Sequence, residues 1–299
     1  MNMPNAYRPQ RRPRRRFIDI RGVDYAVNEW GDEGAPLIVY LHGFGDCGAT
    51  FQFVVDALQD DWFVVAPDWR GFGHTHVETT AFWFPDYLAD LDQLLAHYSR
   101  ESPARLIGHS MGGNVAGLYA GSMPERIRAF VNLEGFGLKG TSADEAPGRY
   151  RDWLVSVRDE PVTSRRADFE SIARKIRSRN PAMSASRADF VARCWAEETA
   201  DGSVRLRVHP AHKLPNPVLY RRAEAEACWR AIAAPVLLVA GRRSNFGSPE
   251  DLPFPRSRVA WIEDSGHMLH LEQPAELART IEPFLRDFVP DLVNSSSTV

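Results

Sequence analysis

Residues 108–113 read GHSMGG, which places Ser110 between glycines, directly after a predicted strand and at the start of a predicted helix. A serine hydroxyl becomes an effective nucleophile only when a base takes its proton and its position is fixed. A sharp turn from strand to helix fixes it by lifting the side chain out of the sheet. A bare G-x-S-x-G pattern also occurs by chance, and an ordinary glycine-flanked helix start is the alternative. The strand and helix around the motif favour a nucleophile at Ser110.

Two backbone N–H groups near this serine could stabilise the negative oxygen that develops during acyl transfer. The amide of Met111, the residue after the serine, is the first. Residues 42–46 read HGFGD and follow another predicted strand, which makes the amide of Phe44 the natural second. A tight glycine turn is the other interpretation of this segment. We predict an oxyanion hole formed by Phe44 and Met111.

A histidine near the carboxyl end of the chain could act as the general base. Residues 265–270 read SGHMLH, between the last predicted strand and the last predicted helix. A loop in that position can bring His267 over the serine as a base. His270 competes for this role, but its place further along the chain is more typical of a structural residue. The nine histidines form no spaced cluster with acidic residues, so no metal site is predicted.

Short apolar runs must position these motifs. Runs of this length that are apolar on both faces are typical of parallel strands covered by helices. They occupy residues 37–41, 62–66, 105–107, 129–133, 236–240 and 259–262, after a hairpin pattern over 17–20 and 25–30. Helical spacing of apolar residues occurs over residues 84–98, 111–122 and 274–288. The alternation predicts an α/β fold with a mostly parallel, doubly wound sheet.

Residues 139–230 break the alternation, because they contain helix-like patterns and no strong strand run. This predicts a mostly helical insertion between two strands of one sheet. Trp153, Trp195 and Trp229 lie in it and would give an apolar lid, although packing within the insertion is the other interpretation of each. These three tryptophans are the candidate substrate-binding residues.

The motifs HGFGD, DWRGFGHT, GHSMGG and SGH follow one another in the order typical of the α/β-hydrolase superfamily. The chain resembles the serine-hydrolase branch of that superfamily with a helical cap, and within it the serine hydrolase-like proteins. The resemblance implies a nucleophile at Ser110, a base at His267, oxyanion donors at Phe44 and Met111, and a reaction without a cofactor.

The same resemblance implies how the chain is divided. Residues 16–138 and 231–299 would form the α/β-hydrolase core, and residues 139–230 would form the cap. Residues 1–15 are rich in arginine and proline and lack periodicity, which predicts a disordered tail.

The third member of the triad departs from the pattern of the family. The usual acid follows the strand predicted at 236–240, where this chain has Ser244. A hydroxyl cannot stabilise an imidazolium as a carboxylate does. Glu134, which follows the neighbouring strand at a position that some family members use, is our predicted acid. Glu250 or Asp251, or a site without an acid, are the alternatives.

Composition narrows the class of protein. The chain has 299 residues, 44% of them hydrophobic, and a formal net charge of −3. No long apolar run predicts a membrane span, and the balance of charges does not favour binding to nucleic acid. Three cysteines at long spacings fit neither a disulfide framework nor a metal motif. We expect a cytoplasmic protein with a small-molecule substrate, compatible with either a monomer or a homodimer.

We therefore predict a serine hydrolase that cleaves a small or medium carboxylic ester through an acyl-enzyme on Ser110. Hydrolysis of a C–C bond with the same triad is the enzymatic alternative. A non-catalytic ligand-binding protein is the alternative from another class, and Ser244 motivates it.

Overall fold

The computed structural model describes residues 6–158 and 168–287. The first five residues of the predicted tail, residues 159–167 of the predicted cap and residues 288–299 of the predicted core lie outside the described residues. Within the described residues, no helix is both long and apolar enough to span a membrane.

One twisted sheet forms the centre of the molecule. The strands are β1 (Arg14–Ile20), β2 (Val23–Trp30), β3 (Leu37–Leu41), β4 (Phe63–Pro67), β5 (Ala104–His109), β6 (Ile127–Leu133), β7 (Ala196–Glu198), β8 (Val204–Leu206), β9 (Val236–Gly241) and β10 (Ser257–Ile262). Eight of them pair in the order β1-β2-β4-β3-β5-β6-β9-β10. All neighbours from β4 to β10 in this order are parallel, while β1 and β2 form an antiparallel hairpin. The predicted hairpin and mostly parallel sheet are confirmed.

Helices cover both faces of this sheet. The helices of the described residues are α1 (Gln52–Val55), α2 (Pro85–Tyr98), α3 (Met111–Ser122), α4 (Ala146–Arg158), α5 (Phe169–Arg179), α6 (Ala185–Trp195), α7 (Arg222–Arg230), α8 (Leu269–Glu272) and α9 (Pro274–Arg286). Those in the two layers on the sheet are α2, α3 and α7 on one face and α1, α8 and α9 on the other. Successive residues of an inner strand point to opposite faces. Leu106 of β5 packs with α2, α3 and α7, and Ile107 packs with α1, α8 and α9. The two apolar layers therefore explain why the inner strands are apolar on both faces.

The segment between β6 and β9 contains more than the predicted helices. β7 and β8 pair as a small antiparallel hairpin. Each has three residues, too few to give an alternating pattern in the sequence. α7, at the end of the predicted cap, packs on α3, where a Cβ at Gly121 would lie 1.9 Å from the carbonyl oxygen of Cys228. The last helix of residues 139–230 is thus part of the layer that covers the sheet.

The predicted disorder of residues 1–15 is wrong for residues 6–15. The Asp56 carboxylate accepts hydrogen bonds from the Tyr7 hydroxyl and from the backbone N–H groups of Gln10 and Arg11. β1 begins at Arg14, whose guanidinium lies 3.8 Å from the Glu29 carboxylate. Asp56 lies more than forty residues from the residues it orders, and the local composition of residues 1–15 contains no sign of such a partner.

Candidate active site

Ser110 occupies a strained turn between β5 and α3. Its backbone has φ 50° and ψ −113°, a region that residues other than glycine rarely adopt. Its N–H donates to the Leu133 carbonyl at 2.8 Å, which fixes the turn against β6. A Cβ on Gly108 would lie 2.6 Å from the Gly113 Cα, and one on Gly112 would lie 2.1 Å from a backbone oxygen. The glycines of GHSMGG therefore let strand and helix approach closely behind the serine.

Glu134 and His267 lie together at the carboxyl ends of β6 and β10. Oε2 of Glu134 is 2.6 Å from Nδ1 of His267. Oε1 accepts a hydrogen bond of 2.8 Å from the N–H of Gly241, at the end of β9. The Glu134 side chain is fully buried, and its backbone φ of 55° turns the chain sharply out of β6. This carboxylate is held by two elements and faces the predicted base.

Ser244, at the usual position of the acid, contacts the carboxylate of Glu134. Its hydroxyl donates to Oε2 of Glu134 at 2.6 Å. Glu250 and Asp251, the alternative acids, are both exposed. Among the side-chain hydrogen bonds of residues 6–158 and 168–287, none joins either of them to His267. The arrangement therefore favours Glu134 among the three carboxylates considered.

The loop after β3 lies against the Ser110 turn. A Cβ on Gly43 would lie 3.2 Å from the Ser110 Cβ and 2.8 Å from Nδ1 of His109. Phe44 follows in this loop; the residue is 60% exposed, and its ring packs in a T-shaped arrangement with Phe72. The Met111 amide belongs to the first turn of α3, where a helix leaves N–H groups without an internal partner. Both predicted oxyanion donors thus belong to segments that meet at Ser110.

The neighbouring histidines are buried rather than exposed to substrate. Burial, followed by the nearby His270 and His267 imidazoles, lowers the pKa of His109 well below its usual value. Burial also lowers the pKa of His42, which lies 2.7 Å from the Gly43 carbonyl and accepts a hydrogen bond from a backbone N–H. His270, the competitor for the base, is fully buried and lies 3.0 Å from the Asp46 carboxylate. The burial and the contacts of His42, His109 and His270 favour structural roles for these three histidines.

The three cap tryptophans have different surroundings. Trp229 is 1% exposed and stacks on Phe254 with ring centroids 4.8 Å apart, so its prediction as a substrate-binding residue is wrong. The apolar indole, which suggested a lid, packs in the core next to α3. Trp195 is half-buried and donates its indole N–H to Asp46 at 2.7 Å. Trp153 is half-buried on α4.

Sequence reasoning missed one aromatic side chain beside the predicted base. Phe246 stacks on the His267 ring, with centroids 3.6 Å apart and planes 14° apart, while 58% of the residue is exposed. It lies two residues after Ser244, in the loop that follows β9. An aromatic residue in the loop of the usual acid was the available signal.

Asp46, His109 and His270 form a buried group of potential metal ligands that the sequence spacing did not predict. Their ligand atoms lie within 4.8 Å of one another. The 3.0 Å separation of the Asp46 and His270 side chains is that of a hydrogen bond. The positions of these two residues need no ion to explain them.

Comparisons with known proteins show the family and the fold of the chain. The model of a family described as alpha/beta hydrolase fold matches residues 36–274. A serine hydrolase-like protein of Danio rerio is 27% identical over 291 residues, covering 90% of this chain and 87% of the relative. A 2-(acetamidomethylene)succinate hydrolase of Mesorhizobium japonicum is 24% identical over 233 residues, covering 78% of this chain and 79% of the relative. A solved thioesterase domain from the curacin biosynthetic pathway has a TM-score of 0.81 at 24% identity and covers 91% of this chain and 99% of that one, a likeness of fold.

Proposed function

The chain belongs to the alpha/beta hydrolase fold family, and we propose that it is a cofactor-independent serine hydrolase that cleaves small or medium carboxylic esters. The hydrogen bond of 2.6 Å between Glu134 and His267 is the observation that carries the proposal. A histidine that donates its Nδ1 proton to a buried carboxylate keeps Nε2 free to accept a proton, which is the tautomer that a general base needs.

The reaction follows from these groups in order. His267 takes the hydroxyl proton as Ser110 attacks the ester carbonyl carbon, and the Phe44 and Met111 amides stabilise the developing oxyanion. His267 then gives the proton to the leaving alcohol, and an acyl-enzyme remains. Water, deprotonated by the same histidine, then attacks the acyl carbon; the bond from that carbon to Oγ of Ser110 breaks, His267 returns the proton to Oγ, and the carboxylic acid leaves. Glu134 stabilises the imidazolium in both steps.

We also infer that the insertion from α4 to β8 acts as a cap over this site. Trp195 of α6 bonds to the loop after β3, and an isolated bridge pairs Phe72 with Val208. Phe72 in turn contacts the ring of Phe44, so both contacts connect residues of the insertion with the loop after β3 and support this inference. Such a cap would set the size of ester that can enter.

Labelling with a fluorophosphonate probe, together with a panel of p-nitrophenyl esters, tests the proposal. We expect a covalent adduct on Ser110, no adduct in Ser110→Ala, and turnover of short to medium acyl chains. Absence of labelling in the wild-type protein would instead favour a ligand-binding protein. Cleavage of β-diketones without ester hydrolysis would favour C–C bond chemistry.

A further inference from the structure

Asp46 is a buried carboxylate two residues after Phe44, in the loop proposed to form the oxyanion hole. Burial by itself would raise its pKa. Hydrogen bonds from His270 and Trp195 instead hold the pKa of Asp46 well below its usual range. The loop thus contains a buried negative charge that depends on its donors.

These donors come from separate parts of the chain. Oδ1 of Asp46 accepts hydrogen bonds from the Trp195 indole at 2.7 Å and from the Thr50 hydroxyl at 2.8 Å. Oδ2 is 3.0 Å from Nε2 of His270. Trp195 ends α6 in the insertion, whereas His270 lies in α8, directly after the loop that contains His267. One carboxylate therefore joins the insertion to the loop of the base.

His109 extends this group to the nucleophile. Its Nε2 lies 2.9 Å from the carbonyl oxygen of His267, and its ring centroid is 4.7 Å from that of His270. Ser110 is the next residue in the chain. The loop after β3, the Ser110 turn and the His267 loop consequently meet around Asp46 and His109.

Backbone contacts also hold Trp195 and the residue before it in place. The Trp195 carbonyl accepts the N–H of Arg207 at 2.7 Å. The preceding carbonyl, that of Cys194, lies 3.9 Å from the Cys47 sulfur. Residues 194–195 therefore lie directly against residues 46–47. Movement of this part of the insertion would shift the Asp46 side chain.

Building on the proposed serine-hydrolase function, we propose that Trp195 is a positioning residue that sets the placement of the Phe44 amide and the His267 ring through Asp46. The position of α6 on the core would then control the rate at which Ser110 attacks the ester. An indole that only lined the substrate site would act through binding, with an effect that grows with the size of the substrate. One that acts through Asp46 changes turnover equally for small and large esters.

Trp195→Phe tests this, because it removes the N–H donor and keeps an aromatic ring. We expect kcat to fall about tenfold for both p-nitrophenyl acetate and p-nitrophenyl octanoate, with KM almost unchanged, since a hydrogen bond to a charged group is lost. The rate constant of fluorophosphonate labelling at Ser110 should fall by a similar factor.

Trp62→Phe is the matched control. Its indole also donates at 3.0 Å to a buried carboxylate, that of Glu282, on the sheet face covered by α9. This variant should lose stability while keeping kcat per folded molecule. Asp46→Asn gives an independent measurement, because an amide cannot reproduce the charge on both oxygens. Its kcat should fall as well, and the double variant with Trp195→Phe should lose less than the product of the two single losses.

The outcomes separate the two proposals. If the wild-type protein hydrolyses esters but Trp195→Phe keeps its kcat, or shows a rise in KM that grows with acyl length, the positioning role is overturned and the serine hydrolase stands. The positioning role is also overturned if the loss of kcat in the double variant of Asp46→Asn and Trp195→Phe equals the product of the two single losses. A wild-type protein that neither labels nor hydrolyses esters overturns the proposed function itself.

Discussion

The Ser244 hydroxyl donates a hydrogen bond of 2.6 Å to the carboxylate of Glu134. The residue at the usual position of the acid therefore contacts the carboxylate from the neighbouring strand. Glu134 Oε2 accepts from both Ser244 and His267. A serine here compensates part of the cost of burying a charge, because each donor stabilises the ionised form.

Ser244→Ala should reduce kcat about fivefold, since it removes one hydrogen bond of ordinary strength from the carboxylate. Ester hydrolysis under saturating substrate is the measurement. Ser248→Ala in the same loop, whose hydroxyl accepts a hydrogen bond from the backbone N–H of Glu250, is the control. Equal activity of the two variants would contradict a supporting role for Ser244.

Glu134→Gln should keep the fold but reduce turnover on the order of 10³-fold or more, because an amide can hold His267 in the wrong tautomer and cannot stabilise its cation. Glu282→Gln provides the comparison, since its buried carboxylate accepts from Trp62 and from the backbone N–H groups of Gln59 and Asp60, far from the site. Circular dichroism checks the fold of both. Near wild-type turnover of Glu134→Gln would remove Glu134 from the triad.

Adding Ser244→Asp to Glu134→Gln should recover about tenfold or more of the lost turnover, because it returns a carboxylate to the strand end where the triad acid is usual. The same change in the wild-type background should reduce activity, since two buried carboxylates would then compete for one histidine. Steady-state kinetics of the four proteins forms the test. No recovery would show that the loop after β9 cannot present an acid to His267.

Phe246→Leu should lower kcat a few-fold, because a ring stacked on His267 stabilises the protonated imidazole by a cation–π interaction of about 1 kcal/mol. Phe246→Tyr keeps the ring and should keep most of the activity. The ratio of kcat to KM effects distinguishes this from a substrate contact. A rise in KM at constant kcat in Phe246→Leu would assign the ring to binding.

The pH dependence of stability should report on His212. Its ring is stacked between Phe72 and Phe82, with centroids 4.0 and 3.5 Å away. Burial lowers its pKa to about 3, helped by neighbouring imidazoles and opposed by a hydrogen bond to the Arg70 carbonyl.

Since the unfolded chain binds a proton at His212 near pH 6.5 and the folded chain does so only near pH 3, this residue contributes stability that is lost as pH falls between those values. His212→Phe should reduce by one the number of protons that the chain takes up on unfolding between these pH values, so the free energy of unfolding should fall less steeply as the pH falls. Urea unfolding from pH 7 to pH 4 measures it. Parallel curves for variant and wild type would contradict the low pKa of His212.

The parts of the site predicted from sequence are those encoded within a few residues. The Ser110 turn requires small neighbours and a strand before it, all of which are contiguous. Glu134 was predicted by a different route, since the ends of adjacent parallel strands lie side by side. Its contact with His267 spans 133 residues, and the neighbouring strand ends, together with the position of the acid in some members of the resembled family, indicated it.

Other features depend on contacts that no local pattern contains. Trp229 has the same apolar character in a lid or in a core, and only the packing of α7 on α3 decides between them. The order of the segment around Tyr7 depends on Asp56, and the role of Asp46 depends on donors from three places in the chain. Hydrogen bonds between distant polar residues leave no periodic signal.

The neighbouring places of β6 and β9 in the sheet have an evolutionary consequence. Because these strands are parallel neighbours, the chain leaves the sheet at the carboxyl end of β6 and re-enters it at the amino end of β9, with α7 as the last helix before re-entry. Insertions of different length can occupy that interval with little change in the cost of closing it. Descendants can therefore exchange or lengthen this segment and acquire new selectivity while inheriting Ser110 and Glu134 unchanged, provided that the exchange preserves a donor to Asp46.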